Sequence, residues 1–500
     1  MFRQCDVISE EQIRNYLVGI EHDRILLSEL SEYCENHNRY ILALSGLRRT
    51  GKTVLMMRQA LNLMEAGKNV AYLQIREIDT QQSLFLGVES AVERGAQYIF
   101  IDEVTYVDGF ARWGDWIYTS TVLKGIYCII CGTDSFGLVL ASGHVLFDRV
   151  KFVKTTHMPY ADYNRITGRR ILNYLHNGGI FGELDVDEYI KTSIVSNIVD
   201  SINRYSDYGY KELAPLEDAE LRSAIIKTIA NVAIRFALRL LTRPYKYPDM
   251  QSASEMLSKR DSEFSIQNID AIQKKIYERL GLKENLERFS DKEKSEFVDY
   301  LKYILRKIDV ITQYDYVQVY PDMRKRYTHE EYIITQPGMR YEQTRIYLNV
   351  LNKLNTDSDL LQERIAQDME GRLLEAAIMT DIIRKLHDKC PNYSSKKHDI
   401  FKFSYGDLEL DMVVAGFEKR SVSLFEIKRA TTINRQQYAN LLNPEIINAV
   451  KKEVCVRNVD KIDGINTVNC YVLYMGEPAG IEGVQYINIE DFLLNDTILN

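Results

Sequence analysis

The chain has 500 residues, 45% apolar and 27% charged, so it is globular and long enough for about three domains. Its net charge of −8 excludes a chain-wide cationic field, so any nucleic-acid contact must come from local patches. Seven scattered cysteines exclude a disulfide scaffold. The N-terminus lacks an apolar signal segment, and the most apolar helix candidate, Ala224 to Leu241, is broken by Lys227, Arg235 and Arg239; both point to a cytoplasmic protein outside the membrane.

Residues 1–38 read as a helical lead-in, with Ile25, Leu26, Leu30 and Tyr33 on one face. Strands are then expected at Tyr40–Ser45, Val70–Gln74, Tyr98–Asp102, Tyr127–Cys131 and Val150–Val153, with helices between them. That alternation implies a parallel sheet covered on both faces. Between the first strand and its helix lies Gly46-Leu47-Arg48-Arg49-Thr50-Gly51-Lys52-Thr53, which meets GxxxxGK[ST] at every defined position. Gly46 and Gly51 let the backbone curl so that its N–H groups cradle phosphate oxygens, and the helix N-terminus adds its dipole. Lys52 is expected to reach the β- and γ-phosphates and Thr53 to place its hydroxyl on Mg²⁺. ATP with Mg²⁺ is therefore the expected cofactor pair.

The strand Tyr98-Ile99-Phe100-Ile101 ends in Asp102-Glu103. Asp102 is placed to hold Mg²⁺ and Glu103 to polarise the attacking water as general base. A surface acidic turn is the bland alternative. The next strand ends in Gly132-Thr133-Asp134-Ser135. Thr133 is the first candidate for a sensor of the γ-phosphate or the water, Ser135 the second; Asp134 or Ser135 equally suits a helix N-cap. Cys128 and Cys131 have CxxC spacing but no second pair, and are expected as buried strand residues. Arg149, just before the last strand, reads as an arginine finger for the nucleotide of its own or a neighbouring subunit, or as a surface arginine.

Residues 160–350 are mainly helical in pattern. A helix within Ser290–Gln313 leads into strands at Tyr314–Val319 and Tyr332–Thr335, the outline of a winged helix. Its turn, Arg324-Lys325-Arg326-Tyr327, suits a phosphate-contacting wing, or a solvated hairpin used for protein contacts. Further on, Gly371 to Glu375 opens a helix, followed by Ile400–Tyr405, Leu408–Val414 containing Asp411, and Ser423–Lys428 containing Glu426-Ile427-Lys428. An aspartate followed on the next strand by Glu-x-Lys is the PD-(D/E)xK nuclease pattern. The two-residue strand period puts Glu426 and Lys428 on one face. Asp411 and Glu426 are candidate Mg²⁺ ligands, with Glu375 completing the set from the helix. Lys428 is placed to orient water or offset developing charge, and Gln437 or Gln436 to sit at the rim. Lys396, Lys397, Lys402, Arg429 and Arg435 suit a phosphate backbone or a solvated face. Residues 460–500 hold a further strand, Asn469 to Met475, and an amphipathic end.

Residues 20–165 resemble the AAA-type ATPase domain of a large prokaryotic family. The resemblance lies in the phosphate loop, Ile101-Asp102-Glu103-Val104, Val107 to Trp116 with its tryptophans, the Gly-Thr-Asp-Ser turn and Phe147-Asp148-Arg149. The family usually has Gly-Arg where this chain has Asp148-Arg149, and Gly-Ser-Ser where it has Gly132-Thr133-Asp134. Residues 365–460 resemble the restriction-endonuclease-like domain that ends the same family, with a winged-helix segment between. The resemblance implies an α/β P-loop NTPase parallel sheet (AAA-like) over residues 1–160, a helical and winged-helix region over 161–350, and an α/β PD-(D/E)xK nuclease-like domain over 351–500. It implies an ATPase that regulates Mg²⁺-dependent cleavage of DNA. The alternative is a nucleotide-controlled signalling or assembly switch whose C-terminal domain only binds a partner; a homo-oligomer is compatible with both.

Overall fold

The computed structural model describes residues 4–178, 302–338, 359–388, 398–458 and 464–495, apart from 37, 38, 144, 156, 157, 304 and 323, with 299 and 341 in addition. The helical stretch expected across 179–298, Ala224 to Leu241 included, lies outside these residues, as do Lys396 and Lys397.

The chain enters through β1 (Asp6–Val7), α1 (Glu10–Leu17) and α2 (Leu27–Glu35). Ser9 and Gln12 form a reciprocal capping box that starts α1. Strand and helix then alternate: β2 (Ile41–Ser45), α3 (Lys52–Glu65), β3 (Val70–Gln74), α4 (Gln81–Glu93), β4 (Tyr98–Asp102), α5 (Phe110–Ser120), β5 (Tyr127–Cys131), α6 (Ser135–Gly143) and β6 (Val150–Lys154). The sheet order is β1-β3-β4-β5-β2-β6, parallel except for β1. β2 and β4 are buried at every position, as strands covered on both faces must be. Ile41, Ala43, Ile99 and Ile130 pack toward α4–α6, and Leu42, Leu44, Phe100 and Ile129 toward α1–α3. Trp113 and Trp116 of α5 pack on Phe85 of α4, which accounts for those aromatics as core.

After β6 come α7 (Tyr160–Thr167) and α8 (Ile171–Asn177). Their faces, with Tyr160, Tyr163 and Tyr174, join a different core, shared with Leu374, Ile378, Ile382 and Phe425. The remaining described elements are β7 (Ile311–Tyr320), β8 (Lys325–Ile334), α9 (Asp359–Asp388), β9 (His398–Tyr405), β10 (Leu408–Gly416), β11 (Ser421–Ile427), α10 (Pro444–Arg457), β12 (Thr467–Tyr474), β13 (Ala479–Ile481), β14 (Val484–Asn488) and α11 (Ile489–Leu494). They build a second sheet in the order β13-β14-β12-β11-β10-β9-β7-β8. β9, β10 and β11 form an antiparallel meander; β11, β12 and β14 run parallel, with α10 as the crossover between the first two. α9 covers one face of this sheet and α10 the other.

The expected two-stranded ribbon is present, but its setting corrects the winged-helix reading. β7 pairs in parallel with β9 over Asp315–Val319, so the ribbon is the edge of the second sheet and not a free-standing wing. Alternating apolar residues announce a strand but not its non-local partner, and the sequence pattern is the same for either setting. The root of the ribbon, Val310, Ile311 and Ile334, packs into the first sheet's core, while Val317 enters the second.

Candidate functional site

β2 delivers the chain to Gly46 at its carboxyl end. α3 begins at Lys52, with Gly51 left-handed at φ 81; Arg49 is also left-handed at φ 62. Left-handed residues within a tight turn bring successive N–H groups to one side, which makes an anion nest. Lys52 is buried and donates from Nζ to the carbonyls of Gly46 at 2.7 Å and Leu47 at 2.8 Å, which keeps the ammonium within the curl of the loop. Burial pushes its pKa down, while Cys131, Glu103 and Asp102 pull it up. The Gly46 amide donates to Ser135 Oγ at 2.9 Å, so Ser135 anchors the entry of the loop.

Asp102 is 1% exposed. Its Oδ1 accepts from Thr53 Oγ1 at 3.3 Å and Cys131 Sγ at 2.7 Å, and its Oδ2 from Tyr72 OH at 2.9 Å. The Thr53–Asp102 pair is the donor set for a divalent cation beside a nucleotide. Glu103 sits in the left-handed region, φ 60 and ψ 39, uncommon for a residue with a side chain. The turn brings its Oε2 to accept the Thr133 amide at 2.8 Å. Burial holds the Glu103 carboxyl above its ordinary range, against the pull of Lys52. A Cβ at Gly132 would lie 2.4 Å from Thr105 Oγ1, so only glycine lets Thr133 approach this closely. Asp134 caps α6 by accepting the Gly137 amide at 2.8 Å. Cys128 and Cys131 are fully buried in β5.

Two site residues escaped the reading of the chain, Tyr72 and Cys131. Strand alternation was the available signal: Gln74 pairs with Asp102 and Ile130 with Ile101, so Tyr72 and Cys131 fall beside the aspartate. Arg149 is a correction for its own subunit. Its guanidinium lies 5.3 Å over the Tyr118 ring, and its carbonyl accepts the Ile41 amide at 2.8 Å, at the start of β2. A residue just before a parallel strand sits at the amino ends of the sheet, and the phosphate loop lies at the carboxyl ends.

In the C-terminal sheet, Lys428 Nζ lies 3.0 Å from Asp411 Oδ2 and 2.6 Å from Glu426 Oε2. The β9–β10 register slips between Leu410 and Val413, so Asp411 sits at an irregularity of the kind that re-aims a side chain. Its Oδ2 also accepts the Ile427 amide at 2.7 Å. Burial, then Asp411, pushes Glu426 up to about 8 and Glu375 of α9 up to about 7. Lys402 pairs with Glu409 at 2.5 Å and Glu375 at 3.7 Å. Among the described residues no group of three or more His, Cys, Asp or Glu is arranged to hold a metal ion. Lysines occupy the gaps instead. Even so, Glu426 Oε1 is buried without a hydrogen-bond partner, and two carboxyls stand above their ordinary range. That excess of buried acid fits a divalent cation on Asp411 and Glu426. The expected basic lining is partly neutralised within the chain: Arg429 pairs with Glu370 at 2.7 Å and Arg326 with Glu453 at 2.5 Å. Gln437 closes its own turn, accepting from the Asn434 amide and donating to the Thr432 carbonyl.

Residues 38–164 match the family model described as an AAA domain. With the phosphate loop, the acidic strand end and the strand order above, these residues are an AAA-type P-loop ATPase domain. An uncharacterized protein of Haemophilus influenzae is 24% identical over 213 residues, covering 38% of this chain and 51% of that one, so the chain spans about half the length of the curated relative it matches. Among solved structures, replication initiator DnaA bound to AMPPCP and single-stranded DNA is 16% identical, covering 59% of this chain and 96% of that one at a TM-score of 0.25. The S. cerevisiae Hsp104–ADP complex is 12% identical, covering 77% of this chain and 45% of that one, also at 0.25. At these scores the assignment rests on the family match and the geometry. No described helix is long and apolar enough to cross a membrane.

Proposed function

We propose that ATP hydrolysis at residues 46–53 regulates a Mg²⁺-dependent, nuclease-like C-terminal domain directed at DNA. In this reading the loop N–H groups and Lys52 offset the charge on the phosphates, and Thr53 and Asp102 hold the cation. Glu103 takes the proton of the attacking water, and the Thr133 amide keeps its carboxylate aimed. In the C-terminal domain Asp411 and Glu426 hold Mg²⁺, which would supply Lewis-acid polarisation of a phosphodiester, and Lys428 offsets the developing charge. The observation that supports this most is the convergence of Asp411, Glu426, Lys428 and Glu375, from three elements, in the chain that carries the ATP loop.

The experiment is incubation of purified protein with plasmid and linear DNA in Mg²⁺, with and without ATP. Cleavage that is lost in Lys428→Ala is expected. No cleavage under any condition would leave the second reading, a nucleotide-controlled assembly switch whose C-terminal domain binds a partner. That reading is favoured by Lys428 standing between the two carboxylates. It predicts a change of mass with a non-hydrolysable ATP analogue and no DNA turnover. Arg149, directed away from its own loop, is compatible with a role toward a neighbouring subunit's nucleotide in such an assembly.

A further inference from the structure

The phosphate loop is braced from outside. Arg24, which precedes α2, is 5% exposed. Its Nη1 donates to the Thr50 carbonyl at 2.6 Å and to the Thr155 carbonyl at 3.0 Å. Its Nε donates to Asp162 Oδ2 at 3.2 Å. Asp162, fully buried on α7, also accepts the Ile25 amide on Oδ1 at 2.7 Å. Thr50 Oγ1 and Thr155 Oγ1 lie 2.8 Å apart. One guanidinium thus joins the lead-in, the loop and the chain after β6.

For the N–H groups of a nest to face an anion, neighbouring carbonyls must turn outward. An outward carbonyl in a dry site needs a donor. Arg24 provides it at Thr50, immediately before the left-handed Gly51. The planar fork, fixed by Asp162, sets the direction of that donor in a way a point charge cannot. We infer that Arg24 is a positioning residue for nucleotide binding: it holds the Thr50 carbonyl outward, and Asp162 holds Arg24. The inference rests on reading residues 46–53 as the ATP loop. It also ties the shape of the loop to α7, whose aromatic face belongs to the core of the second sheet.

The test compares wild type, Arg24→Lys and the double variant Arg24→Met/Asp162→Asn. Binding of a non-hydrolysable ATP analogue with Mg²⁺, KM and kcat for ATP, and the thermal midpoint without nucleotide are measured. Lysine keeps the charge facing Asp162 but loses the fork; the double variant removes both charges together, so neither is left unpaired. Kd and KM are expected to rise about tenfold in both variants, with kcat within about twofold. For Arg24→Lys the nucleotide-free midpoint should stay near that of wild type. A wild-type Kd in both variants overturns the inference. So does a lowered midpoint with unchanged Kd, the signature of a purely structural ion pair. Failure of wild type itself to bind the analogue would instead remove the reading of the loop.

Discussion

At the scale of the residue, the ATP site is a set of buried polar groups that satisfy one another. Asp102 accepts from Thr53, Tyr72 and Cys131, and Glu103 from Thr133. Glu103→Gln keeps the shape and removes the base. We expect kcat to fall by about 10²–10⁴ while analogue binding stays within a few-fold; steady-state ATPase assays alongside fluorescence titration read both, and a kcat near wild type would place the base elsewhere. At the C-terminal cluster the pH dependence has a definite sign. Glu426 stands at about 8 against an ordinary 4.5, so the folded state favours its neutral form. A carboxyl raised in this way contributes stability that is full below about 4.5 and is lost as pH rises through about 8. In chelator, Glu426→Gln should therefore gain on wild type as pH rises from 6 to 9. Melting curves at both ends check this; a constant difference contradicts it.

At the scale of the element, the turn after β5 sets the spacing between sensor and base. Gly132 faces Thr105 so closely that an added Cβ has no room: 2.4 Å to Oγ1 and 2.6 Å to Cγ2. Gly132→Ala should cost about 1–3 kcal/mol by overpacking and lower kcat, because the Thr133 amide must withdraw from Glu103. Urea titration and ATPase rates together test it; a variant as active and as stable as wild type would show that the turn adjusts freely. The β9–β10 irregularity does similar work for Asp411, and neither device depends on the identity of the reacting residue itself.

At the scale of the whole molecule, the ribbon β7–β8 joins two cores. Consecutive residues point opposite ways on a strand, and here they point into different halves. Ile334 packs with Ile41 and Ile99, and Ile333 with Ile378 and Phe425. Both tryptophans, Trp113 and Trp116, lie in the first half and report on it alone. Ile334→Ala and Ile333→Ala should each cost about 2–5 kcal/mol. Both should lower the tryptophan-detected denaturation midpoint, although Ile333 lies in the other core. A midpoint that moves only for Ile334→Ala would mean that the halves unfold independently.

The phosphate loop, the acidic strand end and the five parallel strands were legible in the sequence because each is local: a strand, a tight turn and a helix follow one another within a few residues of Gly46 or Asp102. The residues Asp411, Glu426 and Lys428 were legible by spacing, although the ion pairs that lock them together were not. What the chain could not announce is what meets across long separations. Arg24 finds Thr50, Thr155 and Asp162, Arg149 turns to the amino ends of the strands, and the hairpin becomes a sheet edge. Sequence periodicity dictates which face of an element is buried. Only packing decides what that face is buried against, because hydrophobic burial is non-directional, and the direction comes from hydrogen-bond partners brought together by the fold.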